Sequence, residues 1–103
     1  LFDGKATMVV GTHTHVPTSD HRIMKKGTAY QTDVGMCGDY DSVIGMNKEN
    51  SLKKFSKDPS ATKHYPALGA ATISGLMVVA DDKTGLANKL EPIVLGDLLE
   101  NRI

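Results

Sequence analysis

A short apolar run that stops at a glycine does most to limit the folds open to this chain. Residues 6–10 read Ala-Thr-Met-Val-Val, and Gly11 follows immediately. β-Branched side chains favour an extended backbone, and a glycine lets the chain turn away at the end of a strand. The run therefore predicts a buried strand at residues 6–10 that ends at Gly11.

Two further segments predict β-hairpins. Residues 22–24 and 28–32 flank Lys-Lys-Gly at 25–27, where Gly27 is expected to supply the left-handed residue of a tight turn. Residues 71–80 and 90–95 flank an Asp-Asp-Lys-Thr-Gly turn signal. Both faces of residues 71–80 are largely apolar, which predicts a strand that is covered on both sides.

One short helix is predicted between the hairpins. Asn47 can cap a helix that runs to about Phe55, with an acidic residue in its first turn and two lysines in its last turn. Leu52 lies three residues before Phe55, so the two are expected to share the buried face. Residues 57–69 contain two prolines and predict a surface loop. The expected fold class is α/β, rich in strands and with one short helix.

Size and charge exclude several classes of protein. The chain has 103 residues, of which 40% are hydrophobic and 23% charged, and this composition suits one small domain. Its 12 basic residues balance 12 acidic ones, which argues against a dedicated nucleic-acid or membrane-surface binder. Cys37 is the single cysteine and cannot form an internal disulfide. A reducing, cytoplasmic setting is therefore expected.

Two histidines follow the first predicted strand. His13 and His15 are separated by Thr14, and small side chains at Thr12 and Thr14 leave room for a ligand. Imidazole nitrogen suits zinc, manganese or iron, and α/β sheets commonly build their sites at the carboxyl ends of strands. Spacing alone leaves a metal site and a pair of surface or hydrogen-bonded histidines both open. Two histidines do not complete a metal site, because even one catalytic zinc usually takes three protein ligands.

Several sequence blocks around these histidines occur together and in order. They are Gly-Thr-His-Thr-His-Val-Pro-Thr at 11–18, Gly-Thr-Ala-Tyr at 27–30, Thr-Asp-Val-Gly-Met at 32–36 and Tyr-Asp-Ser-Val-Ile-Gly-Met at 40–46. With these blocks the chain resembles the C-terminal part of the YmdB-type metallophosphoesterases, which are bacterial calcineurin-like phosphodiesterases. The resemblance is dense from residue 11 to residue 55 and looser through the last hairpin.

This resemblance implies a fold, a site and a reaction. The fold would be part of a four-layer α/β/β/α sandwich, with residues 1–103 as a partial metallophosphoesterase domain. His13 and His15 match the family's closing Gly-x-His-x-His motif, whose histidines each ligate one of two paired metal ions (Mn, Fe, Zn or Mg), and Thr14 between them is a candidate substrate contact. A bridging water would attack the phosphorus of a phosphodiester such as a cyclic nucleotide.

The chain also departs from the family's pattern. The earlier ligand blocks, which carry an Asp, an Asn-Gly-Glu-Asn sequence and a Gly-Asn-His sequence, do not occur among these 103 residues. The resemblance thus implies that the chain supplies two of roughly seven ligands, where one catalytic zinc alone usually takes three. We expect the 103 residues to be a C-terminal segment that is inactive alone, and a homo-oligomer and an RNA contact both stay open.

Other chemistry-bearing residues have simpler explanations. His21 and His64 match no family ligand and are expected at the surface, and Cys37 is expected to be buried or half-buried. Turn capping accounts for Asp33, Asp39 and Asp41. A basic stretch is expected to be a solvated helix face, because few aromatic residues interleave it; its members are Lys48, Lys53, Lys54, Lys57 and Lys63. Three methionines, at 36, 46 and 77, are expected to fill the core.

Two other functions compete with the phosphodiesterase. A non-catalytic β-rich module could use unpaired strand edges for interaction or oligomerisation. An amidohydrolase also carries His-x-His after a strand, but there the motif belongs to the first barrel strand. The residues that follow His15 are too few for a TIM barrel, which takes about 250 residues.

Overall fold

The elements follow the predicted order of strand, hairpin, helix and hairpin. The computed structural model describes residues 1–102 as a small mixed α/β chain that is rich in strands. Within that range the elements are β1 (Met8–Val10), β2 (Arg22–Ile23), β3 (Ala29–Gln31), α1 (Lys48–Phe55), β4 (Ile73–Ala80) and β5 (Ala87–Leu95). No helix in that range is long and apolar enough to cross a membrane.

The first three strands form one sheet in the order β1-β3-β2. The predicted first hairpin is confirmed, since β2 pairs antiparallel with β3 and Gly27 in the turn has a φ of 103°. β1 pairs parallel with β3, with Met8 opposite Ala29. This parallel pairing brings the carboxyl ends of β1 and β3 to the same edge of the sheet, where the segments that follow them can meet.

The prediction that residues 6–10 form a buried strand is only partly right. The strand forms and ends before Gly11, but β1 lies at the edge of its sheet. Met8 is 43% exposed, and Val9 and Val10 are half-buried. The apolar pattern identified the strand but did not indicate how much of it the rest of the chain covers.

The last hairpin forms a separate two-stranded sheet. β4 and β5 pair antiparallel from Ile73 opposite Leu95 onward, and β5 begins at Ala87, three residues earlier than predicted. The Asp81 carboxylate accepts the N–H groups of Lys83 and Thr84 at 2.8 and 3.0 Å, which confirms the predicted turn.

The expectation that β4 is covered on both faces is wrong. Ile73, Met77 and Val79 are 57%, 37% and 45% exposed, whereas Ser74 on the opposite face is buried. Ser74 meets the loop after β3, where its hydroxyl lies 3.1 Å from the Tyr40 hydroxyl. One face of β4 therefore packs on the chain, and the other is open because no second layer lies over it within residues 1–102.

The helix has the predicted bounds but the opposite buried face. The Asn47 side chain caps α1 by accepting the N–H of Asn50 at 3.0 Å. Leu52 and Phe55 are 63% and 89% exposed, so the prediction that they are buried is wrong. Asn50 is buried instead, because its amide side chain hydrogen-bonds three times with the backbone of Thr62 and Lys63 in the loop that follows the helix. The loop after α1 therefore covers the polar face of the helix and leaves the apolar face exposed.

Few apolar side chains are buried anywhere in residues 1–102. The buried hydrophobic residues are Ala29, Ala87 and Val94. Of the three methionines expected in the core, Met36 and Met46 are half-buried and Met77 is exposed. The radius of gyration is 17.4 Å, against about 13 Å for a compact domain of this length. Hydrogen bonds, more than a large apolar core, therefore fix the loops.

Asp20 joins the open end of the first hairpin and gives a test of this fold. Its carboxylate accepts the Thr18 hydroxyl at 2.7 Å and, across the hairpin, the N–H of Thr32 at 3.1 Å together with the Thr32 hydroxyl. These bonds, above all the one from the Thr32 hydroxyl, lower the pKa of Asp20 from 3.8 to about 2. The folded state thus stabilises the ionised form of Asp20 relative to the unfolded state.

We expect Asp20→Asn to lower the midpoint of thermal unfolding at pH 7. Because the pKa in the folded state lies below its ordinary value, the stabilisation is complete above about pH 4 and is lost as the pH falls toward 2. Thermal melts of both proteins at pH 7 and pH 2.5 measure this dependence. The difference between the two midpoints should narrow at pH 2.5, and equal midpoints at pH 7 would contradict the role assigned to Asp20.

Candidate functional site

The two candidate histidines lie in a loop that leaves the carboxyl end of β1. The loop starts at Gly11, whose N–H donates to the Gln31 carbonyl at 3.2 Å and whose carbonyl accepts the N–H of Val34 at 3.0 Å. These bonds extend the β1–β3 pairing by one step. A Cβ at Gly11 would lie 2.2 Å from the Thr32 carbonyl oxygen, so only glycine fits this close approach.

Asp33 holds the middle of the histidine loop. One of its carboxylate oxygens accepts the N–H of His13 at 2.7 Å, the N–H of Thr14 at 2.6 Å and the Thr14 hydroxyl at 2.8 Å. Its other oxygen accepts the N–H of Gly35 at 2.9 Å. Asp33 is 1% exposed. The Gly35 N–H, and then those of His13 and Thr14, lower the pKa of this carboxyl, although burial opposes them.

The ring of His15 is oriented by a backbone carbonyl. Its Nδ1 lies 2.7 Å from the carbonyl oxygen of Ile44. A carbonyl can only accept, so Nδ1 carries a proton, and in the neutral ring Nε2 then presents a free lone pair. Metal-binding histidines commonly have this arrangement, with one ring nitrogen donating to a carbonyl and the other available to the metal.

Both residues of this hydrogen bond have unusual backbone conformations. His15 has a φ of 68° and Ile44 a φ of 48°. Left-handed conformations cost residues other than glycine about 1–3 kcal/mol each and tend to cluster at functional sites. Ser42 helps to hold the second loop, because its hydroxyl accepts the N–H of Gly45 at 2.8 Å. The hydrogen bond that orients the His15 ring thus joins two residues with strained backbones, His15 and Ile44.

An open cleft of about 450 Å³ lies beside the two histidines. Its walls come from the loop after β1, the loop after β3 and the segment that precedes α1. The lining residues that bear chemical groups are Thr12, His13, His15, Asp33, Cys37 and Asp39. His13 is exposed and His15 half-buried, and both residues line this one cavity, which is open to solvent.

These two histidines are suited to metal, but they do not complete a metal site. Within residues 1–102, no group of three or more His, Cys, Asp or Glu side chains is arranged to hold a metal ion. The free Nε2 of His15 is the observation that fits a metal ligand. Any further ligands would have to come from outside the described part of the chain.

The other two histidines do not line this cleft, but Cys37 does. His21 lies immediately before β2 and is half-buried, so its expected surface position is only partly right, whereas His64 lies exposed in the loop after α1, as predicted. Cys37 lines the cleft and is exposed, so the prediction that it is buried is wrong. Its Sγ donates to the Ser74 carbonyl at 3.3 Å.

The predicted turn capping is confirmed for Asp39 but not for Asp41. Asp39 accepts the N–H groups of Asp41 and Gly69 at 2.8 and 2.9 Å. Asp41 forms an ion pair with Lys48 at 2.7 Å, which raises the pKa of that lysine. The predicted solvated basic face is confirmed at Lys53, Lys54, Lys57 and Lys63, all of which are exposed.

Sequence reasoning missed two parts of the site. The sequence predicts only a turn cap at Asp33, and the carbonyl of Ile44 leaves no mark in a sequence. The Thr-Asp-Val-Gly-Met block contains Asp33 but indicates no structural role for it. A signal that could have found this role is the parallel β1–β3 pairing, which brings the residue after β3 beside the loop after β1.

Comparisons with known proteins identify relatives of this chain. A family model described as YmdB-like protein matches residues 1–93. A 2',3'-cyclic-nucleotide 2'-phosphodiesterase of Bacillus subtilis (strain 168) is 50% identical over 95 residues, which are 92% of this chain and 36% of that protein.

Two solved structures share the fold. A hypothetical protein from Thermus thermophilus matches with a TM-score of 0.80 at 40% identity, over 93% of this chain and 37% of the other. A novel phosphatase from Mycoplasma pneumoniae matches with a TM-score of 0.82 at 42% identity, over 92% and 34%. The chain therefore spans about a third of the length of these proteins.

The tight approach at Gly11 gives a test of how the histidine loop is held. Gly11→Ala would force its Cβ against the Thr32 carbonyl, and we expect it to destabilise the fold by about 1–3 kcal/mol. Gly75→Ala is the matched control, because nothing lies within 4 Å of a Cβ at that strand position. Chemical denaturation of both variants measures the difference. Equal stability of the two variants would show that the backbone at Gly11 can accommodate a Cβ and that the close approach to Thr32 is not required.

The orientation of the His15 ring can be tested by nitrogen NMR. We expect the neutral ring to carry its proton on Nδ1, because the Ile44 carbonyl accepts it. His64 serves as the control, since no hydrogen bond joins its ring to another residue in 1–102. Long-range ¹H–¹⁵N spectra above pH 8 distinguish the two tautomers, and an Nε2–H tautomer at His15 would rule out the orientation described here.

Proposed function

Because the chain belongs to the YmdB-like family, we propose that it forms the part of a metal-dependent phosphodiesterase that contributes the ligands His13 and His15. The observation that carries this proposal is the hydrogen bond from His15 Nδ1 to the Ile44 carbonyl, which leaves Nε2 free at the cleft. Two histidines that were only exposed to solvent would not require the His15 ring to be held by Nδ1 with Nε2 left without a partner.

The metal ions would be held by His13 and His15 together with ligands from outside residues 1–102. We propose two ions of Mn, Fe, Zn or Mg. When bound, such ions lower the pKa of a water molecule and stabilise the charge that develops on phosphoryl oxygens. The chain's own contribution is positional: Gly11 brings the loop to the sheet edge, Asp33 fixes the backbone of His13, and Ile44 fixes the His15 ring.

The substrate we propose is a small phosphodiester such as a cyclic nucleotide. Support comes from the Bacillus subtilis relative, which is named a 2',3'-cyclic-nucleotide 2'-phosphodiesterase. The open cleft of about 450 Å³ leaves the histidines accessible to a molecule of this kind. Thr14 would flank the substrate through its exposed surface, because its hydroxyl is already engaged by Asp33.

We assign residues 1–103 to one part of a metallophosphoesterase domain with a four-layer α/β/β/α sandwich. The chain spans about a third of its relatives' length, so the remaining layers and ligands would come from other parts of the natural protein. The 103 residues alone would then be inactive. The cytoplasm is the compartment we expect, on the basis of the single cysteine.

The exposed apolar face favours association as a second candidate function. Leu52 and Phe55 on α1 lie beside Val43 and Ile44 in an open apolar groove, all four of them exposed. A module that acts only through such contacts would keep its partner binding when the histidines are replaced. A phosphodiesterase would lose its metal.

The test is to replace His13 and His15 by alanine, singly, in the complete natural protein. We expect each variant to fold and to bind Mn²⁺ at least tenfold more weakly, since each loses a metal ligand. Hydrolysis of a 2',3'-cyclic nucleotide should fall by at least a hundredfold, because a metal that activates water and stabilises phosphoryl charge is lost. Isothermal titration with Mn²⁺ and a phosphate-release assay provide the two measurements.

His64→Ala is the matched control for these variants. It removes an exposed imidazole in the loop after α1 and should change neither measurement. Normal Mn²⁺ affinity in both His13→Ala and His15→Ala would refute the site. Normal metal binding together with full hydrolysis would instead favour the association module.

A further inference from the structure

Asp33 stands out among the carboxylates of the chain in both burial and partners. It is 1% exposed, yet no lysine, arginine or histidine side chain forms an ion pair with it in the part of the chain that the structure describes. A buried charge without an ionic partner is costly unless hydrogen bonds compensate for it. Its four donors supply that compensation, and three of them belong to His13 and Thr14.

We infer that Asp33 is a positioning residue for metal binding, which sets the backbone of the His13–Thr14–His15 loop without touching the metal. This inference rests on the function proposed above. One carboxylate oxygen gathers two consecutive N–H groups and a hydroxyl, so the peptide plane between His13 and Thr14 cannot rotate without breaking these bonds. His13 lies at one end of that plane, and Thr14, at its other end, is followed directly by His15.

The backbone around Asp33 is also held by bonds to the two flanks of the histidine loop, at Gly11 and Thr18. Its N–H donates to the Thr18 hydroxyl at 3.0 Å, and its carbonyl accepts the N–H of Thr18 at 2.9 Å. The next residue, Val34, donates its N–H to the Gly11 carbonyl at 3.0 Å. These bonds hold the backbone of Asp33, two residues after β3, and its carboxylate in turn binds the loop after β1.

The hydrogen bonds at position 33 require a carboxylate, and the amide of asparagine, which has the same shape, cannot form all of them. Both oxygens of Asp33 accept, one from His13 and Thr14 and the other from Gly35. The amide of asparagine has one accepting oxygen and one donating NH₂ group. In either orientation of an asparagine side chain at this position, the NH₂ group would face an N–H donor, and the loop or the turn at Gly35 would have to shift.

The first experiment compares Asp33→Asn with Asp81→Asn in the complete natural protein. Asp81 also accepts two backbone N–H groups, but it does so in the turn between β4 and β5. We expect Asp33→Asn to weaken Mn²⁺ binding in isothermal titration by about tenfold to a hundredfold, as for other groups that orient metal ligands. Asp81→Asn should leave Mn²⁺ affinity unchanged.

The second measurement does not depend on metal or on activity. The amide protons of His13 and Thr14 should exchange slowly with D₂O in the metal-free protein, because a buried carboxylate accepts them. Thr14→Val keeps the side-chain shape and removes only the hydroxyl donor. We expect it to speed exchange at residues 13 and 14 and to weaken Mn²⁺ binding severalfold, so it decides the question even if Asp33→Asn does not fold.

The outcomes separate this inference from the proposed function. If His13→Ala and His15→Ala lose Mn²⁺ while Asp33→Asn and Thr14→Val keep normal affinity, Asp33 is not a positioning residue and the metal site stands. If the histidine variants also keep normal affinity, the proposed function fails first. Fast exchange of the His13 and Thr14 amides in the unsubstituted protein would overturn the inference directly.

Discussion

The histidine loop depends on the hydrogen bonds that it donates to the buried carboxylate of Asp33. Hydrogen bonds to it connect the loop after β1 with the end of β3, and they do so where the sheet offers little apolar packing. Since the carboxylate accepts from two successive backbone N–H groups, it fixes a conformation and not merely a distance. The glycine before the loop and the carbonyl of Ile44 then set where the loop begins and how its last ring points.

This reliance on polar contacts follows from the small apolar core of residues 1–102. Buried hydrophobic side chains are limited to Ala29, Ala87 and Val94, while large ones such as Phe55 and Ile73 are exposed. Apolar burial is normally the dominant favourable term in folding. Where it is scarce, hydrogen bonds that hold defined geometry, such as those of Asp20 and Asp33, determine local structure.

Local signals in the sequence predicted the elements well. The Asn47 cap and the lysines near the end of α1 gave the helix its bounds, and the glycine-containing turns placed both hairpins. These features act between residues a few positions apart, so a sequence displays them directly. The resemblance of residues 11–46 to a known family likewise identified His13 and His15, and the family match over residues 1–93 confirms that membership.

Burial was the least predictable property. Leu52 and Phe55 have the spacing of a buried helix face, yet Asn50 is buried instead, because its side chain satisfies backbone groups of the next loop. The outer face of β4 was mispredicted for a related reason. Spacing shows which side chains share a face, but it does not show which face another segment covers.

The sequence by itself thus determined the order and approximate bounds of the elements, the family and the two histidines that follow the first strand. Only the tertiary structure decided what holds those histidines. The parallel pairing of β1 with β3 brings Asp33 to a loop about 20 residues earlier in the chain, and the segment before α1 brings the Ile44 carbonyl to His15 across 29 positions. Such contacts arise from the folded path of the backbone, and no local pattern of side chains encodes them.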